Sequence, residues 1–126
     1  METWKTFDET FRGAAPKDPT KQRATTIWQC SNYGKVRKIY MPSGKIVPVN
    51  LHESGGHPNK RYLVLPKNDY KYAHRIVAEL FVANPEDKPE VDHIDGNRKN
   101  NHYTNLRWVT SKENHYFARE MRMKQN

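Results

Sequence analysis

The chain has a single cysteine, Cys30. No internal disulfide and no cysteine-cluster zinc site can be built from it, so the fold must hold without either staple and no structural zinc is expected. No apolar run approaches the roughly 18 residues of a membrane span. The polar N-terminus lacks the apolar core of a secretory signal, and a cytoplasmic location is expected. Apolar residues are scarce, at 35% with a mean hydropathy of −1.07, so the core must be modest. Acidic residues are scarce as well: 14 Asp and Glu stand against 22 Lys and Arg, giving a formal charge of +8. A surplus of this sign favours polyanionic partners over acidic or neutral ones. The surplus sits at the two ends, and residues 61–91 are balanced, as expected if both ends track phosphates. There is no internal repeat and no low-complexity tract.

What is present is aromatic and β-branched. Three Trp, seven Tyr and four Phe argue against global disorder, and 126 residues suffice for one domain, or one small domain with an extension. Residues 1–24 read as an arm and linker. Trp4, Phe7 and Phe11 recur at spacings of three and four, which predicts a short amphipathic helix whose stripe is a packing face. The segment Gly13–Thr20 breaks it. Residues 25–73 read as β. Runs at Thr25–Cys30, Lys35–Tyr40, Lys45–Leu51 and Arg61–Leu65, with a further candidate at Tyr70–Ala73, are separated by Asn32-Tyr33-Gly34, Pro42-Ser43-Gly44 and Ser54-Gly55-Gly56 turns. Lys35, Arg37, Lys38 and Lys45 decorate the first hairpins. They suit either a basic ribbon lying on DNA phosphates or a solvated face with edge lysines.

Residues 74–126 read differently. His74–Val82 predicts a helix with Ile76, Val77, Leu80 and Phe81 on its apolar face, ended by Asn84-Pro85. Glu90–Ile94 is a short strand, Asp95–Asn101 a turn-rich loop, and Leu106–Val109 a return strand. Thr110-Ser111-Lys112-Glu113 has capping-box spacing and starts a helix running to about Met123. The expected class is α+β: a small antiparallel β region followed by strand, loop, strand, helix.

That order brings chemistry together. His93 titrates near neutrality and can take a proton from water. Asp92 precedes it, and successive strand residues face opposite ways, so both reach one pocket only if the strand end twists. Asn114 lies in the first turn of the last helix, where its amide oxygen can act as a hard ligand. One carboxylate plus one amide suits Mg²⁺, with Mn²⁺ the alternative, because such ions keep waters and accept phosphate oxygens. Asn105 can bond backbone near Asp92–Ile94 and so fix the His93 ring. Asp95-Gly96-Asn97 is first of all a turn, and Asp95 is not assigned as a ligand. His115 should point away from Asn114, since a helix rotates side chains by about 100° per residue.

The joint pattern, from His74-Arg75-Ile76-Val77 through Val91-Asp92-His93-Ile94-Asp95-Gly96-Asn97 to Asn105-Leu106-Arg107-Trp108 and Glu113-Asn114, resembles the HNH homing endonucleases of phage and their intron-encoded relatives. Upstream, Trp28 to Arg37 resembles the β-rich DNA-binding module often placed before such cores, with Trp28 and Cys30 standing where Tyr and Val are usual. The resemblance implies a ββα-metal (His-Me finger) core over residues 74–126 that hydrolyses duplex DNA, leaving a 5′-phosphate and a 3′-hydroxyl. It makes His93 the general base, Asn105 its positioner, and Asp92 and Asn114 the ligands of one divalent ion. Lys35, Arg37, Lys38, Arg75, Arg98, Lys99, Arg107 and Lys112 would contact DNA. It further implies a phage-infected bacterial host, a monomer or weak dimer, no membrane and no small-molecule cofactor. The rival expectation is a non-catalytic DNA-binding protein descended from such an enzyme. A third is a nuclease directed at RNA or at nucleic acid without sequence preference.

Overall fold

A computed structural model describes residues 1–57, 61–66 and 71–124. Four strands, β1 (Trp4–Phe11), β2 (Thr25–Ser31), β3 (Val36–Met41) and β4 (Lys45–Val49), form an antiparallel sheet in chain order. A two-stranded pair follows, β5 (His52–Glu53) with β6 (Leu63–Val64). Helix α1 (Ala73–Phe81) leads to the hairpin of β7 (Glu90–His93) and β8 (Leu106–Val109), and helix α2 (Ser111–Lys124) closes the chain. The class is α+β, as expected. Tyr72 makes a single bridge to Val64 where a further strand was expected from Tyr70; residue 70 itself lies outside the described residues.

The arm is not helical. Residues 4–11 pair with β2 from Trp4 opposite Ser31 to Phe11 opposite Thr25, with a register shift between Thr6 and Asp8. The three-residue spacing of Trp4 and Phe7, which mimics a helical stripe, instead sends the rings to opposite faces. Trp4 shares a face with Ser31, and the Arg37 guanidinium sits 4.0 Å from its ring centroid. Phe7 turns inward onto Trp28, with ring centroids 6.5 Å apart. Phe11 stays exposed, covered by Arg23 at 4.2 Å. The unpaired edge of β2 gives this segment a ladder of hydrogen bonds that a short isolated helix could not match.

One apolar core serves both halves. Trp28, Cys30 and Val36 from the sheet, Leu65 after β6, Ala73, Ile76, Val77 and Ala78 from α1, and Leu106 from β8 form one buried cluster. Burial pushes the Cys30 thiol up to about 12, so it behaves as a small apolar side chain. Further bonds fasten α1 between its neighbours. Lys5 Nζ donates to the Leu80 carbonyl at 2.8 Å, Trp108 Nε1 donates to the Val82 carbonyl at 3.1 Å, and Arg75 donates to the Pro89 carbonyl at 2.9 Å. The connection to β7 is shaped by Asn84, whose side chain bonds both the N–H and the carbonyl of Lys88 at 2.9 Å.

The expected capping box is formed. Glu113 N–H donates to Thr110 Oγ1 at 3.1 Å, and Thr110 N–H donates to the Glu113 carboxylate at 2.9 Å. It fixes where α2 begins and hence where Asn114 sits.

Candidate active site and nucleic-acid interface

The β7–β8 hairpin and α2 enclose a cleft of about 620 Å³ whose wall includes Asp92, His93, Arg98, Arg107 and Asn114. Asp92 and His93 both border this cleft, as do their neighbours Val91 and Ile94. His93 is the last residue of β7, and one further in-register bond, Ile94 N–H to the Asn105 carbonyl at 2.8 Å, carries the pairing to the start of the loop.

His93 is 6% exposed. Its Nε2 lies 2.8 Å from Asn101 Oδ1. An amide oxygen only accepts, so Nε2 carries the proton and Nδ1 of the neutral ring keeps the lone pair. Burial lowers the His93 pKa, against the Asn101 bond and the Asp92 and Asp95 charges, which raise it. The ring is thus held neutral at physiological pH. Tyr62 and His74 line its other side, with centroids 6.0 and 5.1 Å from that of His93.

Asn105 was expected to bond backbone beside His93, and it does so at Ile94 and Asp95; the direct partner of the ring is Asn101. The Asn105 side chain braces the loop that follows. Its Oδ1 accepts from Asp95 N–H at 3.0 Å, and its Nδ2 donates to Asp95 Oδ1 and to the Asn100 carbonyl, each at 2.9 Å. Asp95 is the hub of that loop and also accepts from Asn97 N–H and Asn100 Nδ2. Burial raises its pKa, but these donors outweigh it and hold the carboxyl below its usual range.

Asp92 Oδ2 accepts from Arg107 Nε at 2.9 Å and pairs with its terminal nitrogen at 2.8 Å. Asn114 Nδ2 donates to Glu90 Oε2 at 3.0 Å, which leaves the amide oxygen as the group available for another partner. Among the described residues no three His, Cys, Asp or Glu side chains cluster closely enough to hold a metal. The donors here are instead one carboxylate and one amide oxygen on the same cleft. They fit a hard divalent ion: both are oxygens, and the carboxylate already attracts a cationic group, the Arg107 guanidinium. His115 also borders the cleft but is exposed where Asn114 is half-buried.

The basic residues separate into distinct roles. Gln29 pairs with Arg37 and Trp28 with Lys38 across β2 and β3, so Arg37 lies on the outer face and Lys38 on the core-side face. Lys38 Nζ stands 4.8 Å from the Trp28 ring centroid. The expected ribbon of Lys35, Arg37 and Lys38 is therefore split: Lys35 is exposed, Arg37 shares the outer face, and Lys38 does not. Arg75 is engaged internally with Glu79 and the Pro89 carbonyl. Lys99 is paired with Glu53. Arg98 lies over the Tyr62 ring at 4.9 Å, and Arg107 over Phe117 at 3.5 Å, both on the cleft. Lys112 is exposed on the first turn of α2.

Residues 71–116 match the HNH endonuclease family model. They are an HNH endonuclease domain. An uncharacterised HNH endonuclease of Acanthamoeba polyphaga mimivirus is 51% identical over 41 residues, 32% of this chain and 12% of that protein. The DNA endonuclease I-HmuI of Bacillus phage SP01 is 39% identical over 87 residues, 69% of this chain and 48% of that protein. A solved structure described as DNA binding and cleavage by the HNH homing endonuclease I-HmuI superposes with a TM-score of 0.53 at 35% identity. It covers 75% of this chain and 53% of that one. The chain thus spans about half or less of the length of these relatives. No helix among the described residues is long and apolar enough to cross a membrane.

Two residues of the HNH domain carry little signal in the sequence. Asn101 is one of several asparagines in a polar loop, and only its 4% exposure singles it out. Glu90 lies two residues before Asp92, on the same side of β7, a period-2 signal that could have flagged it.

Proposed function

We propose that the protein is a divalent-metal-dependent DNA endonuclease of the HNH homing type, with His93 as general base. The observation that carries the reading is the state of His93: neutral, buried, Nε2–H tied to Asn101, and on the cleft that also presents Asp92 and Asn114. In this reading Nδ1 takes the proton of a water molecule as the water oxygen attacks phosphorus. The P–O3′ bond breaks and the departing O3′ takes a proton from solvent water, giving a 5′-phosphate and a 3′-hydroxyl. Asp92 and Asn114 would hold the ion, Mg²⁺ or Mn²⁺, which when bound neutralises phosphate and leaving-oxygen charge. Glu90 orients the Asn114 amide by taking its N–H, and Asn105 fixes the loop that follows His93. Arg98 and Arg107 on the cleft would bind backbone phosphate. The outer face of the sheet, through Lys35 and Arg37, docks on duplex DNA, with β1 extending the module of residues 25–73.

The test is a supercoiled-plasmid assay in Mg²⁺ or Mn²⁺ against EDTA, comparing wild type with His93→Ala. Cleavage that requires metal and vanishes in His93→Ala, with DNA binding retained, is expected. A His93→Ala protein that cuts at near wild-type rate removes the general-base assignment. Binding without cleavage on DNA bearing candidate phage target sequences would favour the non-catalytic reading.

A further inference from the structure

In the turn Asn32-Tyr33-Gly34 between β2 and β3, Asn32 and Gly34 are buried and Tyr33 is 38% exposed. The turn lies against the end of the loop between β7 and β8, and three successive turn residues meet three successive loop residues in reverse order. Gly34 is buried, with φ +87, and a Cβ placed on it would stand 2.8 Å from Asn101 Cβ, 3.0 Å from its carbonyl oxygen and 3.1 Å from its carbonyl carbon. Tyr33 stacks on His102, with centroids 4.7 Å apart and planes 22° from parallel. The Asn32 carbonyl accepts from Tyr103 N–H at 2.8 Å.

The turn itself is held firmly. Asn32 Oδ1 accepts from Thr3 N–H at 2.8 Å, and its Nδ2 donates to the Met1 carbonyl at 3.1 Å. Ser31 Oγ accepts from Tyr33 N–H at 3.2 Å and from Lys35 N–H at 3.1 Å. The loop is braced in two sections. Asp95, Asn100 and Asn105 tie its first half together. The second half is tied within the loop at His102, whose carbonyl accepts from Asn105 N–H at 2.8 Å and whose Nδ1 bonds Thr104, and the turn packs directly against Asn101. Asn101 is the residue that holds the His93 ring.

We propose that the β2–β3 turn sets the position of the general base, with Gly34 a positioning residue acting through Asn101 on His93. The proposal rests on the reading of His93 as base. Only glycine allows the backbones to approach this closely at positive φ. Any Cβ must push Asn101 away by several tenths of an ångström; a misplacement of about 1 Å at a reacting group costs about a hundredfold in rate, so a shift of a few tenths should cost about tenfold. The same strand pair that presents Lys35 and Arg37 to DNA would therefore also fix the ring that activates water.

The experiment compares wild type, Gly34→Ala, Tyr33→Ala, Asn101→Ala, the Gly34→Ala/Asn101→Ala pair and His93→Ala. Nicking of supercoiled plasmid in Mn²⁺ is measured at saturating enzyme, and plasmid affinity in EDTA. Nitrogen-15 NMR of the histidine side chains, assigned with His93→Ala, reports which His93 nitrogen carries the proton. Gly34→Ala is expected to nick about tenfold slower with unchanged affinity and to lose the Nε2–H form, as Asn101→Ala does. Its effect on the Asn101→Ala background should be close to nil. A folded Gly34→Ala with wild-type rate and ring state overturns the proposal, as does a full tenfold loss persisting on the Asn101→Ala background. If Gly34→Ala does not fold, Tyr33→Ala, which alters only an exposed stacking residue, decides by the same readings. If His93→Ala nicks normally, the general-base reading fails, while the ring state still shows whether the turn places His93.

Discussion

Acidification should destabilise this protein through its buried histidines, whose pKa values burial lowers, and through His74 foremost. His74 is the second residue of α1, is 7% exposed, and its Nδ1 is buried without a hydrogen-bond partner among the described residues. Tyr62 stacks on it, with centroids 4.8 Å apart. Burial, reinforced by the nearby His93, Arg75 and Arg98 charges, lowers its pKa to about 3. In the unfolded chain the ring titrates near 6.5, so below that pH the unfolded state binds a proton that the folded state refuses. Stability is then complete above about pH 6.5 and is lost progressively as pH falls toward 3. At pH 5 the deficit from this ring is about 2 kcal/mol, or roughly 7 °C in melting temperature for a domain of this size. The assay is thermal or urea unfolding at pH 7 and pH 5 for wild type and His74→Phe. Phenylalanine keeps the stacking and cannot bind the proton, so the variant should lose much less stability over the same interval. Over this pH range the carboxylates held low by their partners, Asp95 and Glu113 among them, remain ionised in the folded state and contribute little to the difference. Equal losses in wild type and His74→Phe would refute the assignment.

Other outcomes follow from the same geometry. Lys35→Ala combined with Arg37→Ala should weaken DNA binding across sequences and reduce the salt slope of log K by about one to two. Lys38→Ala, on the opposite face, should leave the slope unchanged, and a slope that responds to Lys38 instead would reverse the assignment of the docking face. Thr110→Ala breaks the capping box, should cost about 1 kcal/mol in unfolding experiments, and should slow cleavage because Asn114 loses its fixed helix start. Full activity in that variant would separate helix capping from ion binding.

The nuclease half was legible because its signals are local. A capping box, an Asp-His pair at a strand end and a glycine turn each constrain a few adjacent residues, and β7, β8 and α2 begin and end close to where those signals lie. The N-terminal segment was not legible in the same way. Trp4, Phe7 and Phe11 are spaced for a helix, and only the edge of β2, distant in sequence, decides for a strand with a register shift. Strand alternation is a local rule too, and applied to the neighbours Arg37 and Lys38 it is enough to divide the basic ribbon between two faces. The partner of His93 was harder. Asn101 is one of several asparagines in a polar loop, and nothing in its neighbours in sequence marks it as the one that meets the ring.

The shared core has a consequence for how such a domain can be moved between proteins. The HNH match begins at residue 71, yet α1 buries its apolar side against Trp28, Cys30 and Val36. A transplant cut at the motif boundary would carry the reactive groups and leave behind half of the surface that holds them in place. In a recombination event or a designed chimera, the natural unit of exchange is therefore the sheet and the hairpin together, and the stretch that looks like a detachable cassette in sequence is, in space, one side of a single joint.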